Sequence, residues 1–228
     1  MMKDADDQPD NLESFIQINE TIHRQFKIKR WKFALNAIQR NELIDTAMKT
    51  NTLHGLMIKT QLMTGTRVGE VADLLVSNVN FAAGYVSIET HEDDDEIEEW
   101  RPKTQSSVRT IPLEPALGRE IRRYLDERTK NSSYVFIGRT GTKFTSRSII
   151  NLINDYSKLC SSIGRTIGSH SLRRTYASFL VKNNVPIGTI SSYLGHSSIR
   201  TTMRYLFELK DFDDFGKTNA LLSTMINK

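Results

Sequence analysis

The amino-acid sequence predicts an α+β protein, mainly helical, with one small three-stranded antiparallel sheet. Three observations predict it. From about Phe33 onward apolar residues recur at helical spacing, in three short runs between residues 79 and 111 the period switches to alternation, and no internal repeat is visible. A length of 228 residues fits one ample domain, or one domain with a short appendage. Residues 1–32 read as that N-terminal appendage: they are polar, carry a weak helical pattern (Leu12, Phe15, Ile16, Ile22, Phe26) and end in the basic cluster Lys27, Lys29, Arg30 and Lys32. The domain proper is expected over residues 33–228, closing with a tail helix.

Within it, Leu43, Ile44, Ala47 and Met48 mark a first short helix. After Asn51, a capping residue, Leu53, Leu56, Met57, Thr60 and Met63 mark a second that stops near Gly65. A third is expected at once, from Val68 through Leu75. Val79 to Phe81, Tyr85 to Glu89 and Val108 to Ile111 read as strands, with Ala83 and Gly84 as the turn between the first two. Between the second and third lies His91 to Glu99, with seven carboxylates in nine residues, too self-repelling to pack and expected as a loop. Pro115 suits the first turn of the next helix, whose stripe is Leu117, Ile121, Tyr124 and Leu125. An apolar run from Tyr134 to Ile137 leads to a turn at Gly141. Ile149, Leu152, Ile153 and Tyr156 mark another helix, and Leu172, Tyr176, Phe179 and Leu180 the one after. Pro186 opens a further helix with Ile187, Ile190, Tyr193 and Leu194 inward and Gly195 as its stop; Ser198 caps one more, through Phe207.

Composition narrows the function classes. Cys160 has no partner cysteine, which excludes a disulfide scaffold and makes it a small buried hydrophobe. With 38% hydrophobic and 25% charged residues the chain is of globular type, and no apolar run approaches the roughly 18 residues a membrane helix needs. Met1 to Asp10 is acidic, unlike a signal or transit peptide, so an intracellular, cytoplasmic protein is expected. The net charge of +4 hides a division: residues 1–100 carry 10 Lys+Arg against 18 Asp+Glu, whereas residues 101–228 carry 21 against 9. A concentrated basic half points to a polyanion as partner, nucleic acid before membrane; charge scattered over solvated faces is the alternative.

Several sites are missing. Gly138 to Lys143 lacks the spacing of a phosphate-binding loop, and the five histidines (23, 54, 91, 170, 196) never stand three or four apart, so neither a nucleoside triphosphate nor a metal ion is expected. Two arginine positions stand out instead. Arg67 lies at the joint of the second and third helices, with Glu70 three residues on and able to hold its guanidinium. His170 and Arg173 form a second pair three residues apart at the start of a helix. Singly, each has an ordinary structural reading: Arg67 and His170 as helix caps, Tyr205 as one more half-buried tyrosine.

The constellation carries more weight than its members. Downstream runs Tyr193-Leu194-Gly195-His196 through Arg200 to Tyr205, and upstream runs Arg101 to Leu113, holding Lys103, Ser107, Arg109 and Pro112. Together these residues resemble the tyrosine recombinases, the phage-integrase family, over about residues 33–210. The resemblance implies a DNA breaking-rejoining catalytic domain in which Arg67 is the first catalytic arginine, Lys103 the hairpin lysine, His170 and Arg173 the H-x-x-R pair, His196 the histidine of L-G-H and Tyr205 the nucleophile. It implies a site-specific recombinase or integrase acting on double-stranded DNA through a 3′-phosphotyrosine, with no cofactor, and a homotetramer on DNA formed by exchange of C-terminal tails, or a monomer in solution.

Physical chemistry supports those roles. Two forked guanidiniums, Arg67 and Arg173, suit a phosphodiester that gains charge on attack. A phenol of pKa about 10 must lose its proton to attack, with His170 as the acceptor and Lys103 as acid for the departing 5′ oxygen. Two features depart from the family. Only about thirty residues stand where a core-binding domain usually precedes the catalytic one, so a missing clamp or a fragment of a longer chain is expected. The acidic run 91–99 is inserted before Lys103, where it would tune DNA release or meet a neighbouring subunit. A DNA-binding regulator with little catalysis and a topoisomerase IB-like relaxing enzyme remain the alternatives.

Overall fold

The computed structural model describes residues 34–89 and 108–203. Lys103, Tyr205, the acidic run, the appendage and the tail lie outside the described residues. Helix α1 (Ala37–Thr50) begins two turns earlier than its apolar stripe. Asn36 accepts a hydrogen bond from the Gln39 N–H while the Gln39 side chain accepts from the Asn36 N–H, each at 3.0 Å; this reciprocal cap satisfies two N–H groups a helix start leaves unpaired. One residue, Asn51, ends α1 and caps α2 (Thr52–Thr64), its N–H donating to Ala47 and its side chain accepting from His54. The α2 helix runs through the core with Leu56, Met57 and Ile58 enclosed. It stops at Gly65, in the left-handed region at φ +63°. A Cβ there would also sit 2.2 Å from the Tyr176 ring, so geometry and space both demand glycine.

The third helix is shorter than the sequence predicts. Helix α3 is Val68–Ala72 only, because the chain straightens to pair with a distant segment: Val135 N–H donates to the Leu74 carbonyl and Val76 N–H to the Ser133 carbonyl. Leu75 bridges Tyr134 instead of continuing the helix, and a 3-10 turn, Val76–Asn78, leads into the sheet. Non-local backbone pairing overrides helical periodicity here.

The sheet is antiparallel in the order β1 (Val79–Asn80), β2 (Tyr85–Ile88), β3 (Arg109–Pro112). Val79 faces Val86, Val86 faces Ile111 and Ile88 faces Arg109. Each strand lies within a residue or two of the span expected from alternation. The inward face presents Val79, Val86, Ile88 and Ile111, and Arg109 is buried on the same face. Helix α4 (Pro115–Glu127) has Pro115 in its first turn and Glu114 accepting from the N–H groups of Ala116 and Leu117.

The apolar run from Tyr134 to Ile137 is core without being a regular strand, tied by isolated bridges at Tyr134 and Ile137. Helix α5 (Ser146–Leu159) starts on a Thr145 cap, and Cys160 is buried behind it. Helix α6 (Ser169–Lys182) packs on α2, and α7 (Ile187–Leu194) packs on α6 and β3. Tyr176, Ala177, Ile190 and Leu194 form a small cluster of their own. One expectation is corrected: Phe179 is not inward but 48% exposed beneath the Arg40 guanidinium. Pro186 opens α7 as its N-cap. Among the described residues no helix is long and apolar enough to cross a membrane.

Candidate active site

The site is assembled at the C-terminal end of α7. A helix leaves its last carbonyls without intrahelical donors, and its dipole makes that end negative. Here Gly195, left-handed at φ +59°, closes the helix: its N–H donates to Ser192 and the His196 N–H to Ser191. The next three carbonyls each accept from a different arginine. Arg109 Nε donates to Tyr193 O at 2.6 Å, Arg173 Nη2 donates to Leu194 O, and Arg67 Nη2 donates to Gly195 O at 2.9 Å. Three cations delivered by a strand, a helix and a loop thus converge on one helix terminus.

Each arginine is fixed a second time. Arg173, on the second turn of α6 and 5% exposed, donates from Nη1 to the Gly65 carbonyl at 2.7 Å. Gln61 draws the same two segments together, donating to Thr66 O and to Ser169 Oγ. Arg67 stands just before α3, where its N–H donates to Glu70 Oε2 at 2.6 Å and its Nη1 to Glu70 Oε1 at 2.8 Å. Arg109 reaches the same carboxylate from β3, with Nη1 to Oε1 at 2.9 Å and Nη2 to Oε2 at 2.7 Å. Burial by itself would raise the Glu70 carboxyl, but hydrogen bonds and charge from Arg109, and then from Arg67, hold it below the ordinary carboxylate value.

His196 follows directly, its Nδ1 2.8 Å from the Oγ1 of Thr202, which is fully buried on the helical turn over residues 199–203. Burial, then the charges of Arg173, Arg67 and Arg109, pull its pKa down to about 4. A neutral ring paired to a hydroxyl through one nitrogen can donate a hydrogen bond through the other. His170 lies one turn before Arg173 on α6, with its ring exposed. Tyr176 is close to these charges, yet burial, with Tyr193 beside it, pushes its phenol up to about 12, so it stays protonated.

The structure brings Arg67, Glu70, Arg173 and His196 together at the end of α7, and sets His170 one turn before Arg173 on α6. It adds Arg109, to which sequence reasoning gave no role. The signal was its position: on β3, Arg109 shares the inward face with Ile111, and an arginine on a buried face requires an anionic partner. Two guanidiniums held from behind by backbone carbonyls, beside a neutral imidazole, form a preorganised anion site.

Comparison with known proteins finds a matching family, related sequences and related folds. A family model described as the phage integrase family matches residues 34–210. The tyrosine recombinase XerA of Pyrococcus furiosus is 26% identical over 167 residues, covering 72% of this chain and 53% of that protein. A tyrosine recombinase of Pseudothermotoga lettingae is 26% identical over 181 residues, covering 79% of this chain and 58% of the relative. The chain thus spans about half the length of the curated relatives it matches. Among solved structures, a XerA recombinase crystal structure superposes with a TM-score of 0.64 at 24% identity, over 75% of this chain and 59% of the other. The Tn1549 transposon integrase in complex with transposon right end DNA gives 0.70 at 21% identity, over 86% and 68%. These likenesses are in fold: a helical body carrying a small antiparallel sheet.

Proposed function

The chain belongs to the phage integrase family, and on that premise we propose that it is a site-specific tyrosine recombinase that cleaves and rejoins double-stranded DNA through a 3′-phosphotyrosine. The observation that carries the reading is the pair Arg67 and Arg173, anchored on the adjacent carbonyls of Gly195 and Leu194 with neutral His196 next in sequence. The two guanidiniums grip the non-bridging oxygens of the scissile phosphate, and His196 donates to the same group. The Tyr205 oxygen attacks phosphorus, passing its proton to His170. The bond from phosphorus to the 5′ oxygen breaks, and Lys103 supplies the proton that oxygen needs. The ester conserves the energy of the broken bond, so a second strand can be joined by reversal, without metal or ATP.

The test is direct. Incubated with nicked suicide duplexes in EDTA, the protein should form a covalent DNA adduct, and Tyr205→Phe should abolish it. An adduct that persists in Tyr205→Phe, or that needs magnesium, would refute the mechanism.

On paired sites the protein acts as a homotetramer that exchanges C-terminal tails, and is a monomer in solution. The support is the apolar sequence after Tyr205: Phe207, Leu209, Phe212 and Phe215, then Leu221, Leu222, Met225 and Ile226. Truncation after Gly216 should leave monomeric binding to a single site intact and remove the higher-order complex in sedimentation. An unchanged complex would show that the tail packs on its own subunit.

A further inference from the structure

Arg109 is enclosed, its side chain 3% exposed, whereas the Arg67 side chain is 32% exposed. Arg109 turns its Nη1 and Nη2 onto the Glu70 carboxylate and its Nε onto the Tyr193 carbonyl, so its fork is committed to the residue that holds Arg67. We propose that Arg109 is a positioning residue for strand cleavage: by neutralising Glu70 from the sheet side, it leaves the charge of Arg67 available to the scissile phosphate and fixes that guanidinium in place. The proposal rests on the reading given above.

Charge and valence both support it. Arg67 and Glu70 alone sum to zero, and an ion pair of that kind has little net attraction for a phosphodiester. With Arg109 the trio carries one positive charge, and Arg67 is its solvent-facing member. A carboxylate offers about four acceptor positions. Arg67 takes two, through its N–H and Nη1, and Arg109 takes two, through Nη1 and Nη2. The carboxylate is saturated, so it has no spare lone pair to follow Arg67 or draw it inward. Removing Arg109 would free half of those positions and let Glu70 take the Arg67 fork as a closed pair, away from the Gly195 carbonyl.

The same guanidinium shapes the turn behind the site. Its Nε holds the Tyr193 carbonyl, and a Cβ added to Gly195 would lie 3.0 Å from Arg109 Nη1 and 3.2 Å from its Cζ. The turn carrying His196 is thus seated on Arg109. Pairing of Arg109 with Ile88 across the sheet sets where the fork stands.

Two readouts test this: the rate of covalent adduct formation on a nicked suicide duplex in EDTA, and binding of inorganic phosphate followed by the side-chain ¹⁵N signals of Arg67. Arg109→Met should slow adduct formation about 100-fold, the scale of losing one oriented donor, and weaken phosphate binding about tenfold, the scale of one unit of charge at a screened site. The double variant Arg109→Met with Glu70→Gln restores the net charge and should recover at least about a tenth of the wild-type rate together with phosphate affinity. A merely structural role would instead recover the melting temperature in the double variant without moving the phosphate titration of the Arg67 signals. Arg109→Met within about threefold of wild type, or a double variant no better than the single, would overturn the proposal. If wild type yields no adduct while phosphate binding follows the expected pattern, strand cleavage falls and the role of Arg109 stands. If Arg109→Met does not fold, Arg109→Lys keeps the charge, and its phosphate affinity should stay within about threefold of wild type; a loss beyond about tenfold would overturn the electrostatic role.

Discussion

Arg173→Lys should lower the rate of covalent adduct formation by about 10²- to 10³-fold, or roughly 3–4 kcal/mol of transition-state stabilisation, the cost of losing an oriented donor in a preorganised site. Arg173 is 5% exposed, and its two Nη groups are fixed on Gly65 O and Leu194 O, carbonyls that end α2 and α7. Lysine retains the charge but has a single nitrogen, so it cannot span the two carbonyls and present a fork to a phosphate at once. Stability should fall less than activity, because the charge still faces the negative end of α7. Single-turnover adduct rates beside thermal melts would check this; rates within threefold of wild type would remove Arg173 from the site.

Arg173→Ala is the informative companion. Burial is the largest cause of the low His196 pKa, and the charge of Arg173 comes next. Losing that charge should raise the His196 pKa from about 4 while burial keeps it below the usual histidine value, and Arg173→Lys should leave it near 4. The sign of the linked stability follows. Between about pH 6.5 and pH 4 the unfolded chain binds a proton at His196 that the folded one refuses, so this contribution is full above the unfolded value and is lost as pH falls through the folded one. An NMR titration of the ring in the three proteins separates the cases.

What the sequence makes legible depends on whether a residue's partner is local. The strands were readable because Ala83 and Gly84 punctuate them and alternation covers each run. Gly65 and Gly195 were readable as helix stops because a left-handed cap favours glycine. Arg67 with Glu70, and His170 with Arg173, were visible as pairs three residues apart. Interactions across long separations were hidden. The helix expected through Leu75 stops at Ala72 because Leu74 and Val76 pair with Val135 and Ser133, and nothing near Leu75 announces that. Phe179 fits its stripe but lies under Arg40, a cation on another helix. Arg109 is the instructive omission, since its partners, Glu70 and Tyr193, stand 39 and 84 residues away. Only its register with Ile111 marked it as inward.

That buried register also sets the largest expected loss of stability. Glu70→Ala should destabilise the protein by about 3–5 kcal/mol, the range for removing one partner from a buried charge cluster. The Glu70 side chain is fully enclosed and Arg109 is 3% exposed, so the substitution leaves a buried guanidinium without its carboxylate and facing the charge of Arg67. In a domain of this size that corresponds to a melting temperature lower by roughly 10 °C. Glu70→Gln keeps the volume and one acceptor oxygen and should cost less. The loss should also depend on pH. Arg109 and Arg67 hold the carboxyl below its ordinary value, so its contribution is complete above the unfolded carboxyl range and disappears as pH falls through the folded value. Melts of wild type and Glu70→Ala should therefore differ most at neutral pH and converge in acid. Adding Arg109→Met to Glu70→Ala removes the stranded cation and should restore part of the stability, which distinguishes an uncompensated charge from a simple cavity. If Glu70→Ala melts within about 2 °C of wild type at pH 7, less than 1 kcal/mol in a domain of this size, the carboxylate is not what holds Arg67 and Arg109 together.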